Sequence, residues 1–301
     1  MFENVAGGAG RYAQYWHDYF CASGKETNDL FMIATGDVYA SSKGILFLSD
    51  YSSVYVASKI LVKMVNALKL DGYNVVLHAN SAVELHPYRK LNCIKVVNVN
   101  DYDVAHSWRL LPAFLRERKL KGFRNFCSKI LIRYMEKRVC RLADQVLTNS
   151  LFTKRMVDAS YKISSKMIYK SVDASFNFGV KTPQKLDFNS ALFVGVDFAR
   201  KGLWELLHAY TDHPGMCLTV VGLRADQLRK FQKMQKNGEF QNINFLGILN
   251  KEELVLAYKQ HAVFIMPSHR EALGISLLEA MHFGCLCIAS CAGGIPEIIT
   301  D

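Results

Sequence analysis

The sequence predicts a two-domain α/β fold with parallel sheets, and three observations carry that expectation. Short apolar runs alternate with helical patterns along the chain, the arrangement expected of βαβ units. Runs such as "YNVVLHANS" at 73–81 and "CIKVVNVND" at 93–101 are rich in valine, as parallel strands buried on both faces are. The periodicity lapses in "ASFNFGVKTPQKLDFNS" at 174–190, where polar residues, glycine and proline gather. The expected division is an amino-terminal domain over 1–173, a linker over 174–190 and a carboxyl-terminal domain over 191–301. A chain of 301 residues suits two domains of about 150.

In order, "GGAGRYAQYWHDYFCAS" reads as a glycine loop entering a helix whose aromatic residues form its buried stripe. "NDLFMIATG" and "KGILFLSD" read as strands, and "VYVASKILVKMVNALKLDG" as a helix stopping at Asp71-Gly72. The two valine-rich strands follow, then a long basic helical segment, a strand in "ADQVLTNS", a helix in "LFTKRMVDAS" and a strand in "KMIYKSVD". Past the linker the pattern restarts with "ALFVGVD", a helix at 201–210, "CLTVVG", a polar helix at 225–236, "INFLG" and a helix after Asn250. "AVFIMPS", a helix holding Glu279 and a short buried strand in "CLCIAS" complete it. In such sheets ligands sit at the carboxyl ends of strands, so a cleft between the domains is the expected site.

Composition excludes several classes. Half the residues are hydrophobic and only six are proline, which marks a folded globular chain. No apolar run reaches the roughly 18 residues of a membrane span, and "MFENVAGGAGRY" lacks the basic flank and apolar stretch of a secretory signal. Eight cysteines without such a signal point to free thiols and a cytoplasmic setting. Cys285, Cys287 and Cys291, with His282 upstream, do not follow the usual zinc spacing and read as packing residues, so no metal site is expected.

Eleven Lys or Arg residues fall between Arg109 and Arg141 against Glu117 and Glu136, which places +9 of the net +10 in one stretch. It also holds "LLPAFL" and a helical pattern in which Phe126, Ile130 and Tyr134 mark the buried face. A solvated basic face is the plainest reading. Apolar residues beside the cations favour an anionic membrane over nucleic acid, whose stacking arrays and named motifs are not evident. The expectation is peripheral contact with the inner face of a membrane through 109–141, and no nucleic-acid partner.

Two places could carry chemistry. In "FVGVDFARKGLWELL" a strand ends at Gly195, and Arg200-Lys201-Gly202 lead into a helix, a combination suited to phosphate. In "MPSHREALGISLLEAM" Glu271 lies in the loop after a strand, and Glu279 on the first turns of a helix beginning near 274–276. Eight helical residues advance roughly 12 Å. Glycosidase carboxyls stand about 5 Å apart in retaining enzymes and below about 10 Å in inverting ones. A longer ligand held at each end fits better, with the amides of Leu273, Gly274, Ile275 and Ser276 facing an anionic centre. A nucleotide-diphosphate sugar has that layout.

From "ALFVGVDFARKG" through "INFLG", "MPSHREALGISLLEAM" and "GGIPE", the sequence resembles the donor-binding half of retaining GT-B glycosyltransferases with the E-x7-E motif (group 1, family 4). "GGAGRY", "YNVVLHANS", "VVNVND" and "ADQVLTNSLFTKRMV" resemble the amino half of the same family more loosely. The resemblance implies two Rossmann-like domains facing across a cleft. It also implies transfer of a sugar, with retention, from a nucleotide-diphosphate sugar to a glycan or lipid-linked acceptor. A UDP-sugar is the expected donor, with no cofactor and no required metal. By the same resemblance Arg200 and Lys201 neutralise the diphosphate, Glu279 holds the ribose, Glu271 is the catalytic carboxylate at the transferred sugar, and Gly8 approaches the phosphates. Asn100 and His106 lie on the acceptor side, and the leaving phosphate assists attack on the same face.

The sequence departs from the family's pattern at Val196, where arginine is frequent, at Asn100, where histidine is frequent, and at Ala272, where glycine is usual. Against the family, the chain reads as shortened at both ends, so a truncated relative that only binds nucleotide or membrane is the competing expectation. "DYD" at 101–103 is a chance match to the metal motif of another transferase fold; His78 reads as structural or solvated, and Trp108 as packing or membrane-facing.

Overall fold

The computed structural model describes residues 32–35, 45–48, 62–63, 65–66, 69–70, 76–79, 82–86, 89–100, 120–172 and 187–299. Gly8, His106, Trp108, the 101–103 motif, the first helix, residues 109–119 and most of the linker lie outside them. The described strands are β1 (Met32–Thr35), β2 (Ile45–Leu48), β3 (Val76–Ala79), β4 (Ile94–Val99), β5 (Gln145–Thr148), β6 (Lys166–Met167), β7 (Ser190–Val194), β8 (Cys217–Leu223), β9 (Ile243–Gly247), β10 (Val263–Met266) and β11 (Leu286–Ala289). The helices are α1 (Ala82–Leu85), α2 (Leu120–Leu142), α3 (Leu151–Tyr161), α4 (Phe198–Lys201), α5 (Leu203–Thr211), α6 (Ala225–Lys236), α7 (Lys251–Gln260) and α8 (Ile275–His282).

The strands form three sheets, ordered β1-β2, β3-β4-β5-β6 and β11-β10-β7-β8-β9. The pairings β1 with β2, β3 with β4, and β7 with β8 and β10 are parallel, as valine-rich strands between helices require. The chain separates into two compact units. The described residues through 99, with 120–147 and 160–164, form one; residue 100, with 148–159, 165–172 and 187–299, forms the other. The segment 148–159 joins the carboxyl-terminal unit through hydrogen bonds: Ser150 Oγ donates to the Ala272 carbonyl, and the Leu151 and Phe152 amides donate to the Glu297 carboxylate.

The five-stranded sheet shows why alternation along a buried strand makes a layered fold. Ala191 and Phe193 of β7 point to one apolar cluster, with Leu203, Leu206, Leu207 and Tyr210 of α5 and Phe231 of α6. Leu192 points the other way, to Val255 and Tyr258 of α7, Phe264 of β10 and Leu277 and Ala280 of α8. The two-residue side-chain period distributes β7 between helices on both faces.

Two expectations about burial are corrected. Ile130 and Tyr134 of α2 are not on its buried face: they are 40% and 57% exposed, and Leu131 is exposed beside them. Glu136, Val139 and Cys140 are buried instead. The inward turn is set by a polar pair, the Tyr161 hydroxyl donating to Glu136 at 2.5 Å, which apolar periodicity does not report. Burial, and then the Glu136 charge, hold the Tyr161 hydroxyl well above the usual phenol range. β11 is not a buried strand either, since Leu286 and Ile288 are more than half exposed. It stands at the end of the sheet order, where one edge has no neighbouring strand among the described residues.

Candidate active site

The site is built where β7 and β10, adjacent in the sheet, end at their carboxyl sides. After Gly195, Asp197 caps the short helix α4: its Oδ1 accepts the Arg200 amide at 3.4 Å and its Oδ2 accepts Arg200 Nε at 3.2 Å. Gly202 follows in the left-handed region at φ 70°. A Cβ there would lie 2.1 Å from the Pro267 carbonyl oxygen, so the Arg-Lys-Gly run needs its glycine for backbone contact with the end of β10. The His269 amide donates to the Arg200 carbonyl at 2.9 Å and joins the two loops again.

These loops bring the sequence-predicted cations onto the first glutamate. Lys201 Nζ lies 2.5 Å from Glu271 Oε2, and an Arg200 guanidinium nitrogen lies 3.3 Å from the same oxygen. Lys201 and Glu271 are 8% exposed. Arg200 also donates to the Arg270 carbonyl at 3.1 Å. Two guanidinium or ammonium donors on one buried carboxylate meet the cost of removing that charge from water.

Glu271 is fixed from behind by the Gly293-Gly294 loop. A Cβ on Gly293, which has φ 64°, would stand 1.9 Å from the Glu271 carbonyl oxygen, and one on Gly294 2.2 Å from that of Ala272. The Gly294 amide donates to the Glu271 carbonyl at 3.0 Å. The Ala272 carbonyl accepts the Ser150 hydroxyl at 2.6 Å. Glu297 of "GGIPE" accepts the Leu151 and Phe152 amides at 2.8 and 2.7 Å, capping α3, and the Tyr169 hydroxyl at 3.0 Å.

α8 starts as expected, with Gly274 as its cap at φ 105° and no side-chain cap on the first turn. Leu273 is buried, and Ser276 Oγ is 3.6 Å from Met266 Sδ. The positive end of this helix therefore opens three residues after Glu271. Glu279, 3% exposed, sits inside α8 and accepts the Tyr258 hydroxyl at 2.9 Å. The structure thus draws Arg200, Lys201 and Glu271 into direct contact and keeps Glu279 on a different partner. Asn100 is half-buried and its carbonyl accepts Asn149 Nδ2 at 3.1 Å. His78 Nε2 is 3.2 Å from Asn98 Oδ1.

Sequence reading missed Asp197, Tyr258 and the capping role of Glu297. Aspartate three residues before Arg200 is a legible capping signal. Tyr258 carries none, since only the packing of α7 against α8 brings it to Glu279. Among the described residues no group of three or more His, Cys, Asp or Glu is arranged to hold a metal, and no helix is long and apolar enough to cross a membrane.

Two parallel-sheet units, with cations and a carboxylate at the strand ends of the second, share the GT-B fold of solved glycosyltransferase structures. Residues 177–301 match the family described as "Glycosyl transferases group 1". An uncharacterized 41.2 kDa protein in the cps region of Klebsiella pneumoniae is 24% identical over 88% of this chain and 73% of its own. Sucrose-phosphate synthase from Thermosynechococcus elongatus superposes with a TM-score of 0.69 at 20% identity, covering 97% of this chain and 79% of that one. Anabaena HepE, solved in complex with UDP-glucose, superposes with a TM-score of 0.59 at 16% identity, covering 86% and 70%. Residues 177–301, less than half of the chain, are thus similar to the glycosyl transferases group 1 family, and the chain as a whole shares the fold of these solved structures.

Proposed function

We propose that this chain is a group 1 glycosyltransferase that takes its sugar from a nucleotide-diphosphate sugar and transfers it with retention of configuration. The observation that carries the reading is the Lys201–Glu271–Arg200 cluster beside the uncapped amino end of α8. Two cations and a helix terminus within one loop system suit a diphosphate, and a buried carboxylate among them suits sugar hydroxyls. Lys201 and Arg200 would meet the phosphates, and Glu271 would turn to the sugar as they do. The first amides of α8, from Leu273 to Ser276, would stabilise charge on the leaving phosphate. Glu279 would hold the ribose once Tyr258 shares it. No metal or cofactor is assigned a part.

HepE, a neighbour in fold, binds UDP-glucose, which supports a UDP-sugar as the first donor to try. The acceptor is proposed to be a glycan or a lipid-linked one, met by the amino-terminal half with peripheral contact between 109–141 and an anionic membrane. The test is a panel of nucleotide sugars assayed for donor hydrolysis and transfer. One donor should turn over and give a product of unchanged anomeric configuration, with turnover lost in Glu271→Ala. Inversion, or nucleotide binding without turnover of any donor, would refute the reading.

A further inference from the structure

The amino-terminal unit holds two polar atoms that are buried and meet no hydrogen-bond partner among the described residues, His86 Nε2 and Arg89 Nε. They belong to one turn, in which an Arg89 guanidinium nitrogen donates to the His86 carbonyl at 2.6 Å. That turn follows α1, which packs against α2. α2 supplies Arg138, whose guanidinium donates to the Tyr134 hydroxyl at 3.2 Å. Burial, then the Arg89 charge, then the Arg138 charge lower the pKa of His86. Among the described residues, the charges acting on His86 are therefore both cationic.

Orphaned buried polar groups are rare in native proteins and call for an explanation such as an ordered water or ion. A water would satisfy a donor and leave the positive field uncompensated. An oxyanion does both, accepting from Arg89 and His86 while offsetting two guanidinium charges. We propose that His86 and Arg89 form a phosphate-binding site in the amino-terminal unit, with Arg138 of the neighbouring α2 adding positive charge.

The surroundings indicate where such a phosphate comes from. Ile130, Tyr134, Arg138 and Arg141 succeed one another at three- or four-residue spacing and share one side of α2. Ile130, Leu131, Tyr134 and Leu142 are exposed there with both arginines. Apolar side chains between cations suit an anionic lipid surface, so the phosphate of a lipid head group is the favoured source and a free phosphate the other. The site itself rests on the two orphaned atoms of this turn; the proposed function bears only on whether the phosphate belongs to an acceptor.

The experiment titrates the full chain with inorganic phosphate at constant ionic strength, following the His86 imidazole resonances by NMR. In parallel, sedimentation is measured with phosphatidylglycerol and with phosphatidylcholine vesicles. The expected result is a saturable shift of the His86 signals, with phosphate affinity falling about tenfold in Arg89→Gln, as loss of one charge-assisted bond implies, and by less in Arg138→Gln. Binding to phosphatidylglycerol but not phosphatidylcholine vesicles, weakened by the same variants, assigns the site to a lipid phosphate. A phosphate response without vesicle binding assigns it to a free phosphate. No response of His86 to phosphate overturns the proposal whatever the vesicles do. The wild-type titration decides, so a variant that fails to fold leaves the test standing. Nucleotide binding measured on the same samples keeps failure here separate from failure of the donor reading.

Discussion

Lys201 and Glu271, seventy positions apart in sequence, meet at 2.5 Å with both side chains nearly excluded from solvent. Each occupies the partner that a ligand would take: the amine is held from a phosphate and the carboxylate from a hydroxyl. Donor binding in this reading is therefore an exchange of partners within an existing charged cluster.

Breaking that pair from one side should be costly. Lys201→Met leaves Glu271 with Arg200 alone and should lower stability by about 3 kcal/mol. Urea unfolding checks it, as a lower midpoint at unchanged slope. Adding Glu271→Leu to the same chain should restore most of the stability and none of the turnover, because no buried charge is then left unmatched.

Asp197 should act through Arg200. In Asp197→Ala the guanidinium loses its Nε partner and α4 its cap, at a cost of about 1 kcal/mol. The KM for the donor should rise severalfold while kcat changes little, and Asp197→Asn, which keeps an amide acceptor, should recover part of the loss. Equal falls in kcat and kcat/KM would place Asp197 in the chemistry instead.

Tyr258→Phe removes the hydroxyl beside Glu279 but keeps the ring, which stacks on Phe283 at 5.6 Å between centroids. A stability loss of about 1 kcal/mol is expected from the lost hydrogen bond to the buried carboxylate. Thermal unfolding measures it, and nucleotide titration should show altered affinity if Glu279 grips the ribose.

Glu297→Ala uncaps α3. Two amides and the Tyr169 hydroxyl lose their acceptor, so Tm should fall by an amount equivalent to about 1–2 kcal/mol. Amide hydrogen exchange should rise first at Leu151 and Phe152.

Thiol reactivity should divide by burial. Cys217 and Cys291 are exposed, whereas burial pushes the Cys285 thiol up to about 11 and the Cys287 thiol up to about 12, the latter also under the Cys285 charge. A raised thiol pKa means that thiolate appears only as pH climbs toward that value. Alkylation at pH 8 with peptide mass spectrometry should label Cys217 and Cys291 and spare the other two. Their labelling should grow as pH approaches 11.

The carboxyl-terminal elements were legible nearly residue by residue. "CLTVVG" became β8, the polar helix at 225–236 became α6, and the helix holding Glu279 began at Ile275, because burial on both faces and glycine or asparagine caps leave local signatures. α4 was not anticipated as a separate turn, since Gly202 breaks what reads as one continuous helix. α2 misled because its inward residues include a glutamate, and hydropathy places glutamate outside. "CLCIAS" misled because position within a sheet, not composition, decides whether a strand is covered.

Local sequence encodes the alternation of strands and helices, the cations before a helix, the spacing of Glu271 and Glu279, and the glycines at positions where a Cβ cannot fit. These depend on neighbours along the chain or on the residue's own backbone freedom. Packing chose which groups touch: Lys201 on Glu271, Tyr258 on Glu279, and Glu297 on the first turn of α3. Such contacts join residues tens to well over a hundred positions apart. Their partners are chosen by how strands are ordered and helices pack, which no local pattern encodes.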